Sequence, residues 1–168
     1  TTRTYNEQNL ITRVTRPLGQ AVEIAYDAFR NPTRITNALG HTLTSEFSAG
    51  NLTALTNDLG HTTTFAYDAS GFVIRETDAL GNETQYTRDA NGNELSVTRT
   101  RTTSTGPVTV VTRKEYDEAG RVTAEIDSMG GRTTTEYNAI GKTASVTDPL
   151  GNRTEYEYDN RGHQVLIR

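Results

Sequence analysis

The sequence predicts an all-β protein: tandem antiparallel β-hairpin repeats forming a curled sheet, part of a spiral β-shell. Three observations predict it. Leu-Gly recurs at Leu18-Gly19, Leu39-Gly40, Leu59-Gly60, Leu80-Gly81 and Leu150-Gly151, with Met129-Gly130 as a variant; the steps are 21, 20, 21, 49 and 21 residues. An aromatic residue followed by Asp or Asn keeps the same beat, at Tyr5-Asn6, Tyr26-Asp27, Tyr67-Asp68, Tyr116-Asp117, Tyr137-Asn138 and Tyr158-Asp159. The intervening segments are rich in Thr, Val and Tyr, residues that suit a pleated, half-buried surface.

Each unit reads Tyr-Asp-x-x-Gly, a strand, Asp-x-Leu-Gly, and a second strand. The unit from Tyr116 shows it: Tyr116-Asp117-Glu118-Ala119-Gly120, then Arg121 to Ile126, Asp127-Ser128-Met129-Gly130, and Arg132 to Tyr137. Asp and Asn accept backbone hydrogen bonds at the start of a turn, and Gly closes it with φ > 0. The positions expected to carry the repeat follow. Tyr26, Tyr67, Tyr116, Tyr137 and Tyr158 end strands, while Asp27, Asp68, Asp117 and Asp159 open the turns after four of them. Gly71, Gly120, Gly141 and Gly162 close turns of that kind, and Gly81 and Gly151 close the other kind. Phe47-Ser48 and Arg88-Asp89 fill the remaining aromatic slots, so about eight repeats of ~21 residues start near 5, 26, 47, 67, 88, 116, 137 and 158.

Alternation sets an expected register. Val122, Ala124 and Ile126 share one strand face, and Thr133, Thr135 and Tyr137 another. A four-residue loop from Asp127 to Gly130 would put Val122 opposite Thr135 and Ala124 opposite Thr133, uniting the rows on one side. The odd period adds a constraint, because a beat of 21 would flip each successive repeat to the other face. One turn per repeat must absorb an odd residue. The Tyr-Asp-x-x-Gly turn is the candidate, with Gly71, Gly92, Gly120, Gly141 and Gly162 as left-handed bulge residues. Asn9 suits that slot and Arg30 does not, and the repeat from Phe47 is one residue short. Irregularity is therefore expected between about residues 28 and 50. Roughly fifteen strands at ~4.8 Å each make a sheet too wide to stay flat.

Composition bounds the rest. Hydrophobic residues are only 33% and aromatics 7%, with no Trp. A net charge of −4 with both signs mixed, and regularly spaced Tyr, argue against disorder and for a thin, distributed core. No Cys is present, which excludes disulfides and thiolate metal sites. No apolar run reaches the roughly 18 residues of a membrane span. The chain opens on Thr1-Thr2-Arg3 and closes on Leu166-Ile167-Arg168 in mid-pattern, so residues 1–168 are expected to be a repeat region cut from a larger protein.

The pattern resembles the RHS/YD repeat family. It is plainest in Thr147-Asp148-Pro149-Leu150-Gly151-Asn152-Arg153-Thr154-Glu155-Tyr156-Glu157-Tyr158-Asp159-Asn160-Arg161-Gly162 and returns from Thr77 to Tyr86. Members include bacterial Rhs polymorphic toxins, Tc toxin cocoon components, wall-associated proteins and teneurins. The resemblance implies a spiralling β-cocoon around a C-terminal toxin, delivered by type VI secretion or a Tc injector. It implies a secreted or cell-surface protein, bacterial in origin. The expected partners are the toxin domain of the same parent protein and neighbouring shell repeats. The alternative is an extracellular adhesion or carbohydrate-binding module. The unit from Arg88 departs from the pattern, with Arg in the Tyr slot and seven extra residues; Arg99 to Pro107 is expected to extend a projecting hairpin. The family's self-cleaving segment and a toxin domain are not found here.

Reactive-looking residues read as structure. Asp148-Pro149-Leu150-Gly151 sits on the ordinary turn phase. Asp89-Ala90-Asn91-Gly92-Asn93-Glu94 lacks EF-hand ligand spacing. His41 and His61 share a phase, but two His without a third ligand make a weak metal site. No Ser-His-carboxylate cluster, Walker motif or dinucleotide fingerprint appears. The expectation is no catalytic residue, no cofactor and no metal. Arg99, Arg101, Arg113 and Lys114 form the most basic stretch, but an acidic pI near 5.4 opposes nucleic-acid binding; an anion or glycan at that hairpin tip stays open. Open strand edges are expected to invite self-association.

Overall fold

The computed structural model describes residues 1–167. It contains sixteen strands, against roughly fifteen expected, and no helix among the described residues. The chain forms two compact units, Thr1–Glu83 and the residues from Thr84 onward. The first holds β1 (Thr2–Tyr5), β2 (Ile11–Thr15), β3 (Ala21–Tyr26), β4 (Pro32–Thr36), β5 (Thr42–Ser48), β6 (Asn51–Asn57), β7 (Thr62–Tyr67) and β8 (Val73–Thr77). The second holds β9 (Glu83–Arg88) except its first residue, then β10 (Glu94–Thr103), β11 (Gly106–Tyr116), β12 (Val122–Ile126), β13 (Arg132–Tyr137), β14 (Thr143–Thr147), β15 (Arg153–Tyr158) and β16 (Gln164–Ile167). Within each unit the order of strands in the sheet is the order in the chain. From β1 to β8 and from β10 to β16, each strand runs antiparallel to the next.

Both kinds of turn share one local structure. In the Asp127 turn, the Asp127 N–H donates to the Gly131 carbonyl at 2.9 Å and the Gly130 N–H to the Asp127 carbonyl at 3.1 Å. The carboxylate oxygen Asp127 Oδ1 also accepts from the N–H groups of Met129 and Gly131. In the Asp117 turn, the same four bonds join Asp117 to Ala119, Gly120 and Arg121. The closing glycines of both kinds have φ between 76° and 88°, in the left-handed region.

This geometry corrects the expected register. The turn holds five residues, Asp127 to Gly131, because the carboxylate and the Asp127 N–H draw in Gly131. Ala124 therefore lies opposite Thr134 and Ile126 opposite Arg132, not Ala124 opposite Thr133. The Thr133/Thr135 row is on the face away from Ala124.

The odd residue is absorbed in the Tyr-Asp hairpins, but in the strand arm rather than in the glycine turn. Tyr116 pairs with Val122, yet Glu115 pairs with Ala124, leaving Thr123 as the extra residue. The same shift falls just before Tyr5, Tyr26, Phe47, Tyr67, Tyr137 and Tyr158. Left-handed glycines occur equally in the hairpins without a shift, so they are not its cause.

Irregularity between residues 28 and 50 takes two forms. Arg30 adopts φ 72° in the glycine slot of the Asp27 turn. The short repeat closes on two residues, Ala49 (φ 49°) and Gly50 (φ 82°), between paired Ser48 and Asn51. Two positive φ values define a type I′ turn, for which Asn-Gly is the preferred pair. Ala49→Asn is therefore expected to raise stability by about 1 kcal/mol, the order of the left-handed penalty for Ala. Urea unfolding checks this; an unchanged or lower midpoint would contradict the turn assignment.

The core is thin. Among the described residues only Ala54, Val97, Ala124 and Ser145 are buried. The longest hairpin, β10–β11, closes over Ser104-Thr105 between paired Thr103 and Gly106. Its strand β11 pairs with β12 only over Arg113 to Tyr116, so the Gly106–Thr112 arm runs on past that ladder.

Candidate functional site

The recurrent feature is a link from Tyr26, Tyr67, Tyr116, Tyr137 and Tyr158 to the preceding hairpin. The hydroxyls of Tyr26, Tyr67, Tyr137 and Tyr158 donate to the carbonyls of Ile11, Leu52, Val122 and Thr143, each fifteen residues back, at 2.7 to 3.0 Å. Tyr116 bonds the Glu94 carbonyl, twenty-two residues back, at 2.9 Å. The seven extra residues of the long hairpin make that difference. Each acceptor lies at or next to the start of the second strand of the preceding hairpin, so the tyrosine ties its own hairpin to the one before. Sequence spacing placed these tyrosines at strand ends but gave no sign that their hydroxyls reach across.

The expected turn residues fall at the turns. Asp27, Asp68, Asp117 and Asp159 each accept two backbone N–H groups at one carboxylate oxygen. Gly71, Gly81, Gly120, Gly141, Gly151 and Gly162 each donate an N–H back to the residue that opens the turn. In the second unit, cations extend the link from turn to turn. Arg121 binds the Asp117 carboxylate through Nε at 2.7 Å while its guanidinium lies 4.4 Å from the centre of the Tyr137 ring. Lys142 lies 5.0 Å from the Tyr158 ring centre and donates to the Gly162 carbonyl.

Charged pairs roof the buried small residues Ala124 and Ser145. Glu115 is opposite Ala124 on β11, and Arg132 is opposite Ile126 on β13. The two form a bidentate pair at 2.6 Å, which must cross β12 over the Ala124 face. One repeat later, Arg153 Nη2 binds Glu136 at 2.9 Å across β14, where Ser145 Oγ also donates to Glu136 at 2.9 Å. These roofs were not anticipated. Their signal is an Arg seventeen residues after a Glu, twice, on the repeat beat.

The residues that resembled reactive sites are occupied structurally. Asp148 accepts from the N–H groups of Leu150 and Asn152 and from the Asn152 side chain at 2.7 Å. Asp89 does the same with Asn91 and Asn93. The His41 ring pairs with the Asp58 carboxylate of the adjacent turn. Among the described residues, no three His, Cys, Asp or Glu side chains gather as a metal site. No helix among them is long and apolar enough to cross a membrane. A cavity of about 350 Å³ at the base of the long hairpin is lined by Leu95, Val97, Arg113, Lys114, Ile126 and others; Lys114 there faces Glu94 at 3.8 Å.

A ladder of hairpins stapled by turn carboxylates and tyrosine hydroxyls defines a β-repeat protein whose recurrent chemistry is internal to the sheet. Residues 5–42, 48–79, 67–104 and 137–168 match the family described as RHS Repeat, and the chain belongs to that family. Among solved structures, it resembles the crystal structure of TcdB2-TccC3-TEV, with a TM-score of 0.74 and 12% identity over 94% of this chain. It also resembles a Tc holotoxin pore of Photorhabdus luminescens carrying a TccC3 mutation, with a TM-score of 0.75 and 19% identity over 98% of this chain. These likenesses show the fold. The chain spans only 9% and 10% of the length of those two matched chains. No curated protein sequence matches.

Two outcomes are expected. Tyr137→Phe removes the hydroxyl and leaves the Val122 carbonyl without that donor while keeping the ring on Arg121, so it is expected to lower stability by about 1 kcal/mol. Tyr5→Phe, at an exposed ring, is expected to change nothing; equal effects in urea melts would contradict the assignment. The second concerns acid. Asn side chains hold Asp27, Asp89 and Asp148 below the usual carboxylate range, Arg121 so holds Asp117, and the His163 N–H so holds Asp159. Arg132 and Arg153 do the same to Glu115 and Glu136. The folded state favours the ionised carboxylates, so their contribution is complete above the unfolded value of about 4 and is lost as pH falls through the lower folded values. The urea midpoint is expected to fall between pH 5 and pH 3, and a constant midpoint would contradict it.

Proposed function

We propose that this chain is a wall segment of an Rhs-type β-cocoon that encapsulates a C-terminal toxin domain of the same parent protein for secretion. The supporting observation is the tyrosine link, which joins the hairpins of Tyr26, Tyr67, Tyr116, Tyr137 and Tyr158 to the one before each and so repeats along the sheet within each unit. Turn carboxylates are used to hold backbone N–H groups, and cross-strand Arg–Glu pairs cover small residues; the role is structural rather than catalytic. The resemblance to TcdB2-TccC3 and Tc holotoxin structures supports the same reading. In this reading residues 1–168 are about eight RHS repeats of a longer secreted or cell-surface bacterial protein. The positions that propagate the wall are the tyrosines, turn aspartates and glycines described above, and the partners are neighbouring repeats and the enclosed toxin.

Limited proteolysis of the full parent chain tests it. The domain following the repeats is expected to stay intact in native buffer and to be cut once urea opens the repeats; cutting at one rate in both conditions would contradict encapsulation. A glycan array probed with the 168-residue chain is expected to give no saturable, competable binding. Such binding would favour an adhesion module instead.

A further inference from the structure

The first unit carries a row of exposed leucines that its turns do not require. Leu18, Leu39, Leu59 and Leu80 occupy the third position of four successive turns and are 74% to 90% exposed. A type I turn accepts most residues at that position, so the leucines serve no need of the backbone. Successive turns of this kind are two strands apart, about 10 Å, which makes the row an apolar ridge about 30 Å long on one edge of the unit. Exposed apolar surface of that extent and regularity marks a contact.

We propose that this ridge is a docking surface for a second copy of the chain, related by a two-fold axis. Three observations point to that occupant. A partner with the same repeat presents leucines at the same spacing over the whole length, as an unrelated surface does not. A groove of about 330 Å³ lies between the first two turns, lined by Arg16, Gln20, Val22, Asn37 and Leu39 among others, and it is large enough for a leucine side chain. The charge along the ridge is polar: the cation Arg16 is in the first turn and the Asp78 carboxylate, which also holds the Leu80 and Asn82 N–H groups, is in the fourth, while Asp58 of the third turn pairs with His41 of the second. A two-fold axis perpendicular to the ridge sets the first turn of one copy against the fourth of the other, which brings each Arg16 to the turn of Asp78. A parallel arrangement would oppose like charges instead.

Four leucines from each copy give a contact near the small end of specific interfaces, on the order of 1,000 Å². Association should therefore depend on concentration. The contact does not rest on the cocoon reading, because it needs only the turns of this unit.

Sedimentation velocity of the 168-residue chain, from low micromolar to several hundred micromolar, tests the proposal. The expected result is a monomer–dimer equilibrium with no larger species dominating. The combined variant Leu18→Ser, Leu39→Ser, Leu59→Ser and Leu80→Ser is expected to remain monomeric throughout, with unchanged far-ultraviolet circular dichroism because these side chains are exposed. Arg16→Glu is expected to weaken the dimer by about tenfold, since it sets like charges together. A wild-type chain that stays monomeric at every concentration overturns the proposal. So does a four-serine variant that associates as strongly as wild type, which would assign self-association to the strand edges.

Discussion

The architecture depends on reconciling a 21-residue beat with a pleat of period two. Side chains alternate faces along a strand, so an odd repeat puts equivalent residues on opposite faces unless each repeat gains one residue. Thr123 is that residue in the clearest unit: it has no opposite number, and Glu115 skips past it to pair with Ala124. The consequence shows one repeat on. Glu136 pairs with Ser145, and Ala124 and Ser145 then share a face and are both buried. Without the bulge the buried row, its Arg–Glu roofs and the tyrosine links could not repeat in phase.

A sheet with so few buried side chains must spread its stabilisation over many small contributions. Backbone ladders supply most of them, and each turn adds an internal set. In most turns an Asp carboxylate or an Asn amide oxygen holds two N–H groups and the closing N–H returns to the residue that opened the turn, and at five of the repeats a tyrosine hydroxyl reaches the strand behind it. Over Ala124 and Ser145 the strands on either side send long charged side chains across, Glu115 with Arg132 over β12 and Glu136 with Arg153 over β14. Exposed ion pairs of this kind contribute little on Coulombic grounds alone. Their geometry matters more, because the aliphatic stems of Arg and Glu close the surface above Ala124 and Ser145.

Much of this was legible in the residues. The spacing of Leu-Gly and Tyr-Asp located the turns, and alternation in the Thr- and Val-rich segments located the strands. The parity of the beat required an extra residue in one hairpin per repeat. The register was misread by one position, because a sequence does not show that Asp127 draws in Gly131 as a fifth turn residue. The glycines misdirected the placement of the bulge: left-handed glycines close both turns, whereas the extra residue sits in a strand arm and has no fixed type, being Thr123 in one unit and Ile74, Ala144 and Val165 in others. The tyrosine hydroxyls escaped notice because their acceptors are backbone carbonyls, which leave no mark on composition or spacing. The roofs over Ala124 and Ser145 were hidden for another reason. Their partners lie two strands apart, beyond the reach of nearest-neighbour pairing.

The bulge can be tested directly in this cysteine-free chain by disulfide formation in two double variants. With Thr123 as the extra residue, Glu115→Cys with Ala124→Cys places the two sulfurs on directly opposed positions. That pair is expected to oxidise readily in the folded state, while Glu115→Cys with Thr123→Cys stays reduced. Preferential oxidation of the second pair would mean an unbroken register through the hairpin, and the phase argument on which the structure rests would fail.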